Sequence, residues 1–123
     1  MSRPEPIRRG DIFWIEPDAL RGSVPGSAHP HLVIQDDVLN RSRIHSVVVC
    51  ALTTNLKRAH EPGNVLLDPG EGNLGKQSVV VVSQVSAVPK SQLGAHIGTL
   101  DARRVDQVLD GLRFQQAAYF DRE

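Results

Sequence analysis

The stretch SVVVCALT, residues 46–53, is apolar through its centre, and its length and valines are typical of a β-strand. An apolar run without alternating polar residues indicates a strand that is buried on both faces. We therefore expect other parts of the chain to cover it on each side. We predict that Cys50, inside this run, is a small, buried and unreactive side chain, as free cysteines usually are.

Shorter stretches of similar character lie on both sides of this run. Aromatic and β-branched residues mark 11–15 (DIFWI), and apolar runs mark 31–35 (HLVIQ), 64–68 (NVLLD), 77–88 (QSVVVVSQVSAV) and 95–100 (AHIGTL). Glycine and proline punctuate these stretches, and residues 16–28 form a long loop by composition. The sequence therefore predicts about six short strands.

After residue 100 the apolar period changes to that of a helix. Asp101 is predicted to cap this helix by accepting hydrogen bonds from its first turn. Apolar residues then recur at spacings of three and four: Val105, Val108, Leu109 and Leu112. Gly111 weakens a helix, which suggests that another element packs closely there. Strands first and a helix last predict an α+β fold, a small barrel or curled sheet with a helix against it.

Length and composition indicate one globular domain. The 123 residues suit a single domain over 1–123, and we expect residues 1–8 to be a flexible N-terminus. A single cysteine excludes a disulfide framework and makes the cytoplasm the natural compartment. The N-terminal residues do not have the pattern of a signal peptide, and no apolar run is long enough to predict a membrane span.

The net charge of zero argues against a protein that coats nucleic acids in general. Lys and Arg number 14 against 14 Asp and Glu, whereas such proteins are normally basic. The basic residues nevertheless concentrate in the first half of the chain. The five histidines lack cysteine or acidic partners at ligand spacing, so we expect no metal site. No phosphate-binding glycine motif is present, and we expect no cofactor.

Two histidines stand where the long loop meets the second strand. His29 and His31 are spaced so that they point to one face of a strand, if the strand begins that early. If strands two and three pair antiparallel, Thr53 lies near them. Together with positive charge from Arg21 and Lys57, an imidazole and a hydroxyl are suited to phosphodiester cleavage through a ribose 2′-hydroxyl. The alternative is an exposed strand end with two polar residues.

Several motifs occur in an order that resembles a known family. They are Gly10-Asp11, Arg21-Gly22-Ser23, the run from Pro30 to Ile34, Leu52-Thr53-Thr54, Pro62-Gly63-Asn64 and Ser83-Gln84. From about residue 9 to residue 112, the sequence resembles the PemK/MazF-like toxins of bacterial toxin–antitoxin systems.

The resemblance implies a fold, an activity and partners. It implies an SH3-like or CcdB-like barrel with a C-terminal helix, acting in the cytoplasm as a homodimer. The activity implied is sequence-specific, metal-independent cleavage of single-stranded RNA, yielding a cyclic phosphate. The partner implied is a cognate antitoxin with a disordered, acidic C-terminal tail. The residues implied to bind RNA are Arg21, Gly22, Ser23, Thr54, Lys57 and Gln84, beside a catalytic Thr53.

The sequence departs from the family pattern at two polar positions. Val24 stands where the family has an acidic residue, and His29 stands where it has the arginine that acts on the scissile phosphate. In one interpretation His29 replaces that arginine and is catalytic with Thr53. In a second, the protein binds antitoxin or RNA without efficient cleavage. In a third, the chain acts on another target, because a fold does not fix a function.

Other polar and aromatic residues have competing interpretations. Phe13 and Trp14 are predicted to be core residues rather than base-stacking ones. His31 is predicted to be a surface histidine rather than a catalyst. Basic pairs such as Lys57-Arg58 and Arg41/Arg43 either bind phosphates or are solvated charges.

Overall fold

The predicted strands form one antiparallel sheet with SVVVCALT at its centre. The structure is a computed structural model that describes residues 6–16 and 28–120, without the side chains of 118–120. The strands are β1 (Asp11–Ile15), β2 (His29–Val33), β3 (Ser46–Thr53), β4 (Val65–Leu66), β5 (Val79–Pro89) and β6 (Leu93–Thr99), in the spatial order β4-β5-β3-β2-β1-β6.

Helices connect and flank these strands. They are α1 (Asp37–Asn40), α2 (Ala102–Phe120) and 3₁₀ helices at Leu56–His60, Glu71–Asn73 and Lys90–Gln92. The predicted cap of α2 is confirmed, because the Asp101 carboxylate accepts from the backbone N–H of Arg104 at 3.0 Å. Helix α1 was not predicted, because a single turn is too short to show apolar periodicity.

Both faces of the sheet are covered, as the apolar character of β3 predicted. On one face Cys50 and Leu52 belong to a cluster that α2 covers with Val105 and Val108. On the other face a second cluster packs together: Ile7, Phe13, Ile15, Val33, Val47, Val49 and Val88, with Leu93 partly buried beside it. Alternation along each strand sends neighbouring side chains to opposite clusters.

The α+β class is confirmed, but "barrel" describes the sheet only loosely. Among the described residues, β4 and β6 form the two edges and do not pair with each other. Irregularities in register bend the sheet. In the β3–β5 pair, Cys50 lies opposite Val85 and Leu52 opposite Val80, so β5 carries extra residues there. Gln84 lies within this bulge.

The prediction for Cys50 is confirmed. Its side chain is fully buried and its thiol donates to the carbonyl oxygen of Val81 at 3.0 Å. Burial raises the pKa of the Cys50 thiol to about 12, because a thiolate is poorly solvated there. Cys50 is therefore a packing residue rather than a nucleophile.

The described part of the N-terminal segment packs against the sheet. Ile7 is buried, and the backbone N–H of Arg8 donates to the carboxylate of Asp11 at 2.9 Å. Residues 1–5 lie outside the described residues, and their flexibility stays a prediction. No helix in the described ranges is long and apolar enough to cross a membrane.

Gly111 packs against a turn, as its place in α2 suggested. A Cβ at this position would collide with the carbonyl oxygen of Gly63 and come within 3.2 Å of Val82. Alanine favours a helix by about 1 kcal/mol over glycine, but overpacking against backbone outweighs this gain. Gly111→Ala is expected to lower the free energy of unfolding in urea by about 2 kcal/mol.

Gly75→Ala is the matched control for this variant. A Cβ there meets nothing within 4 Å, so its free energy of unfolding should stay within about 0.5 kcal/mol of the wild type. Equal unfolding midpoints for the two variants would contradict the close contact between α2 and the turn at Gly63.

Candidate active site

A cavity of about 440 Å³ opens where β2, β3 and the bulge of β5 meet. Its side of the sheet is the one that carries the second apolar cluster, away from α2. The residues that line it are His29, His31, Ala51, Leu52, Thr53, Arg58, Gln84, Val85 and Ser86.

The register of β2 and β3 brings His29 and Thr53 together. The two strands pair antiparallel, as predicted, with His31 opposite Ala51. His29 and Thr53 each lie two residues beyond this pair, one before it in β2 and one after it in β3, and both line the cavity. Strand β2 begins at His29, two residues before the predicted start, so both histidines point into the same cavity.

The hydroxyl of Thr53 has a fixed local partner. Its oxygen accepts from the backbone N–H of Asn55 at 3.1 Å. This bond occupies an acceptor site and leaves the hydroxyl proton available for donation. Asn55 also caps the following 3₁₀ helix, since its side chain accepts from the N–H of Lys57 at 3.2 Å. The turn therefore positions a hydroxyl that can donate to a ligand.

The expectation that His31 is a surface residue was wrong. Its side chain is only 4% exposed, and its Nδ1 lies 3.0 Å from the backbone oxygen of His29. A carbonyl oxygen only accepts, so Nδ1 carries the hydrogen and Nε2 is left as an acceptor. Burial, the largest cause, lowers the pKa of His31 and favours its neutral ring. The His31 ring therefore donates a hydrogen bond to the backbone carbonyl of His29.

The burial of His31 makes the fold sensitive to acid. Its folded-state pKa lies below the 6.5 of an exposed histidine, so the unfolded chain takes up its proton first as the pH falls. The free energy of unfolding should decrease from pH 7 to pH 5, with a one-proton slope of up to about 1.4 kcal/mol per pH unit. Urea titrations of wild type and His31→Gln measure this slope. Identical slopes would contradict the prediction.

Arg58 lines this cavity, although the sequence pattern singled it out only as one of several basic residues that either bind phosphates or are solvated. Among the described residues of the lining, it has the one permanent positive charge. Its Nε and Nη2 donate to the two carboxylate oxygens of Glu61, both at 2.9 Å. The hydrogen bond with Glu61 raises the pKa of Arg58, and the same bond lowers the pKa of Glu61.

A second cavity, of about 590 Å³, shares His29 with the first. Thr54 and Trp14 line it, so Thr54 lies beside rather than within the cavity of Thr53. Trp14 is 42% exposed, and its prediction as a core residue was wrong. His96 also lines this cavity, where the carboxylate of Asp11 lies 3.2 Å from its Nε2.

The remaining predicted site residues fall into three groups. Gln84 lines the first cavity beside His29 and Thr53. Lys57 is exposed and lines neither of these two cavities. The residues Arg21, Gly22 and Ser23 lie outside the described residues, as does Val24, where the sequence departs from the family pattern. Within the described ranges, no group of three or more histidine, cysteine or acidic residues is arranged to hold a metal ion.

Comparison with known proteins decides the family. Residues 8–115 match the family described as PemK-like, MazF-like toxin of type II toxin–antitoxin systems. The chain belongs to this family. This MazF-like chain is 36% identical over 107 residues to the endoribonuclease MazF6 of Mycobacterium tuberculosis, covering 87% of this chain and 94% of that protein.

A second relative agrees with this assignment, and a solved structure agrees with the fold. The endoribonuclease EndoA of Bacillus subtilis is 30% identical over 111 residues, covering 90% of the MazF-like chain and 95% of that protein. A mycobacterial endoribonuclease solved in complex with its cognate antitoxin has a TM-score of 0.73 at 20% identity, covering 90% and 95% of the two chains. At that identity the likeness shows the fold alone.

Proposed function

We propose that this MazF-like chain is the toxin of a type II toxin–antitoxin system, an endoribonuclease that cuts single-stranded RNA at specific sequences. The family and the two relatives named endoribonucleases support this activity. The observation that carries the proposal is the convergence of His29 and Thr53 on one cavity. We further propose that residues 1–123 act as one domain, in the cytoplasm.

The chemistry proposed is attack by a ribose 2′-oxygen on the adjacent phosphorus. The bond from phosphorus to the next 5′-oxygen breaks, leaving a 2′,3′-cyclic phosphate and a 5′-hydroxyl. His29 accepts the proton of the 2′-hydroxyl, and a water molecule protonates the departing 5′-oxygen. The hydroxide left by that water takes the proton back from His29, so no net proton is gained or lost. Thr53 donates a hydrogen bond from its hydroxyl to a non-bridging oxygen, where charge increases in the transition state. The proposed steps use only side chains and water, in keeping with the metal-independent cleavage that the family resemblance implies.

The RNA would enter along the cavity and extend beyond it. Gln84 offers an amide to a base edge from the bulge of β5. Thr54 and Lys57 would contact nucleotides on either side, with Arg21, Gly22 and Ser23 contributing from the loop before β2. These assignments follow from the family resemblance.

A cognate antitoxin and a second copy of the chain are the protein partners proposed. The solved mycobacterial relative is held in complex with its antitoxin. An acidic, disordered tail that folds into the RNA groove would place carboxylates where RNA phosphates lie and so block cleavage. The homodimer follows from the family resemblance.

A second candidate follows from the residue at position 29. An imidazole there, in place of the arginine expected from the family, supports a protein that binds antitoxin or RNA but cuts little. One experiment separates the candidates. The purified protein is incubated with mixed RNA in EDTA, and the new ends are mapped and tested for cyclic phosphate. Discrete cuts support the endoribonuclease, whereas tight binding of an antitoxin tail without cuts supports the binding protein.

A further inference from the structure

We propose that Arg58 binds the scissile phosphate in the cavity of His29 and Thr53, and that Glu61 and Asn64 position its guanidinium. The inference rests on the proposed ribonuclease function and adds a catalytic residue to it. It follows from three observations: the placement of Arg58, the hydrogen bonds that hold it, and the charge that the reaction requires.

Arg58 reaches the cavity through the turn that follows β3. Strand β3 ends at Thr53, Asn55 caps the 3₁₀ helix Leu56–His60, and Arg58 lies in the middle of that helix. Its side chain is 29% exposed and lines the cavity together with Thr53. The turn that orients the Thr53 hydroxyl therefore also places the positively charged side chain of Arg58 at the cavity.

A chain of hydrogen bonds links the guanidinium to the sheet. The backbone N–H of Val82 in β5 donates to Oδ1 of Asn64 at 3.0 Å. Nδ2 of Asn64 donates to Oε1 of Glu61 at 3.0 Å and to the backbone oxygen of Arg58 at 2.9 Å. Glu61 accepts both bonds from Arg58. These bonds anchor the ion pair of Arg58 and Glu61 to strand β5.

The bonds to Glu61 leave donors for a ligand. They use two of the five N–H groups of the guanidinium, so three stay available. Planar N–H donors match the oxygens of a phosphate, and the guanidinium keeps its charge throughout the working pH range. The negative charge that collects on the non-bridging oxygens during 2′-oxygen attack needs such a partner. With Arg58 in that role, His29 is left to accept the proton of the 2′-hydroxyl.

The test compares Arg58→Ala and Arg58→Lys with Arg113→Ala. Arg113 on α2 is a matched control, because it forms the same kind of ion pair with an acidic residue three positions away, Asp110, but is 75% exposed and outside the cavity. Single-turnover cleavage should slow about 30-fold in Arg58→Ala and about 10-fold in Arg58→Lys. Arg113→Ala should stay within about 2-fold of the wild type.

Binding is measured separately with an RNA whose scissile 2′-hydroxyl is replaced by hydrogen. Arg58→Ala should weaken the Kd for this RNA about 10-fold, and Arg113→Ala should not change it. Glu61→Gln tests the positioning role. It should lower kcat about 10-fold, because it loosens the hydrogen bonds that hold the Arg58 guanidinium. It should not raise KM, because it also removes a negative charge near the RNA phosphate. A raised KM with unchanged kcat would overturn that role.

The outcomes separate this inference from the proposed function. If the wild type cuts RNA and Arg58→Ala cuts as fast as Arg113→Ala, the role of Arg58 is wrong and the ribonuclease function stands. If the wild type makes no cuts, the proposed function fails, and the Kd values of the wild type and Arg58→Ala for an unmodified single-stranded RNA still decide whether Arg58 binds a phosphate. Should Arg58→Ala fail to fold by thermal unfolding, Arg58→Lys carries the comparison.

Discussion

Replacing Thr53 by valine is expected to slow RNA cleavage about 1,000-fold, with little change in RNA binding. Valine keeps the branched shape at the end of β3 and removes only the hydroxyl. That hydroxyl already accepts from the N–H of Asn55, so its remaining function is to donate, and a developing oxyanion is the acceptor proposed. Because the bond strengthens in the transition state, its loss falls on kcat.

Thr53→Ser is the control for this variant. It restores a hydroxyl that can accept from Asn55, and its cleavage rate should recover to within about 10-fold of the wild type. Circular dichroism and urea unfolding of all three proteins establish that the fold is unchanged. Equal rates for Thr53→Val and Thr53→Ser would show that the hydroxyl takes no part in cleavage.

The strands and the last helix could be predicted because apolar patterns directly reflect burial. The run at 46–53 is apolar because clusters lie on both of its faces, and the period-3.6 pattern after Asp101 follows the face of α2 that meets the sheet. The start of β2 was harder to predict. His29 and Pro30 look like loop residues, yet β1 pairs with them, with Ile15 opposite His29.

The candidate site could be predicted where it depends on strand register and not where it depends on turns. Antiparallel pairing was enough to bring Thr53 near the histidines. The burial of His31 was missed because it comes from its neighbours across the sheet, Phe13 and Ala51, which a single strand does not reveal. Arg58 was missed as a specific cavity residue because the path of a 3₁₀ turn has no apolar period.

The pair Phe13 and Trp14 shows the same limit. Alternation along β1 predicts that the two rings point to opposite faces of the sheet. It does not predict which face is covered at that end of the strand. Phe13 is buried in the second cluster, with the ring of His96 5.2 Å away, whereas Trp14 lines the open second cavity.

Replacing His29 by alanine is expected to slow RNA cleavage about 100-fold at neutral pH, because the ring is the group proposed to accept the proton of the 2′-hydroxyl. Arg58 supplies a positive charge but cannot accept a proton. His29→Arg should also cut slowly, since a guanidinium stays protonated and cannot replace the imidazole as a base.

Single-turnover cleavage of one RNA by each variant measures this, with two control variants. His45→Ala removes an exposed histidine outside the cavity and should leave the rate within about 2-fold of the wild type. His31→Gln removes the neighbouring buried ring and should slow cleavage far less than His29→Ala does. A His29→Arg variant that cuts as fast as the wild type would instead make residue 29 a cationic donor to the phosphate. A His29→Ala variant that cuts as fast as His45→Ala would assign the proton acceptor to another group.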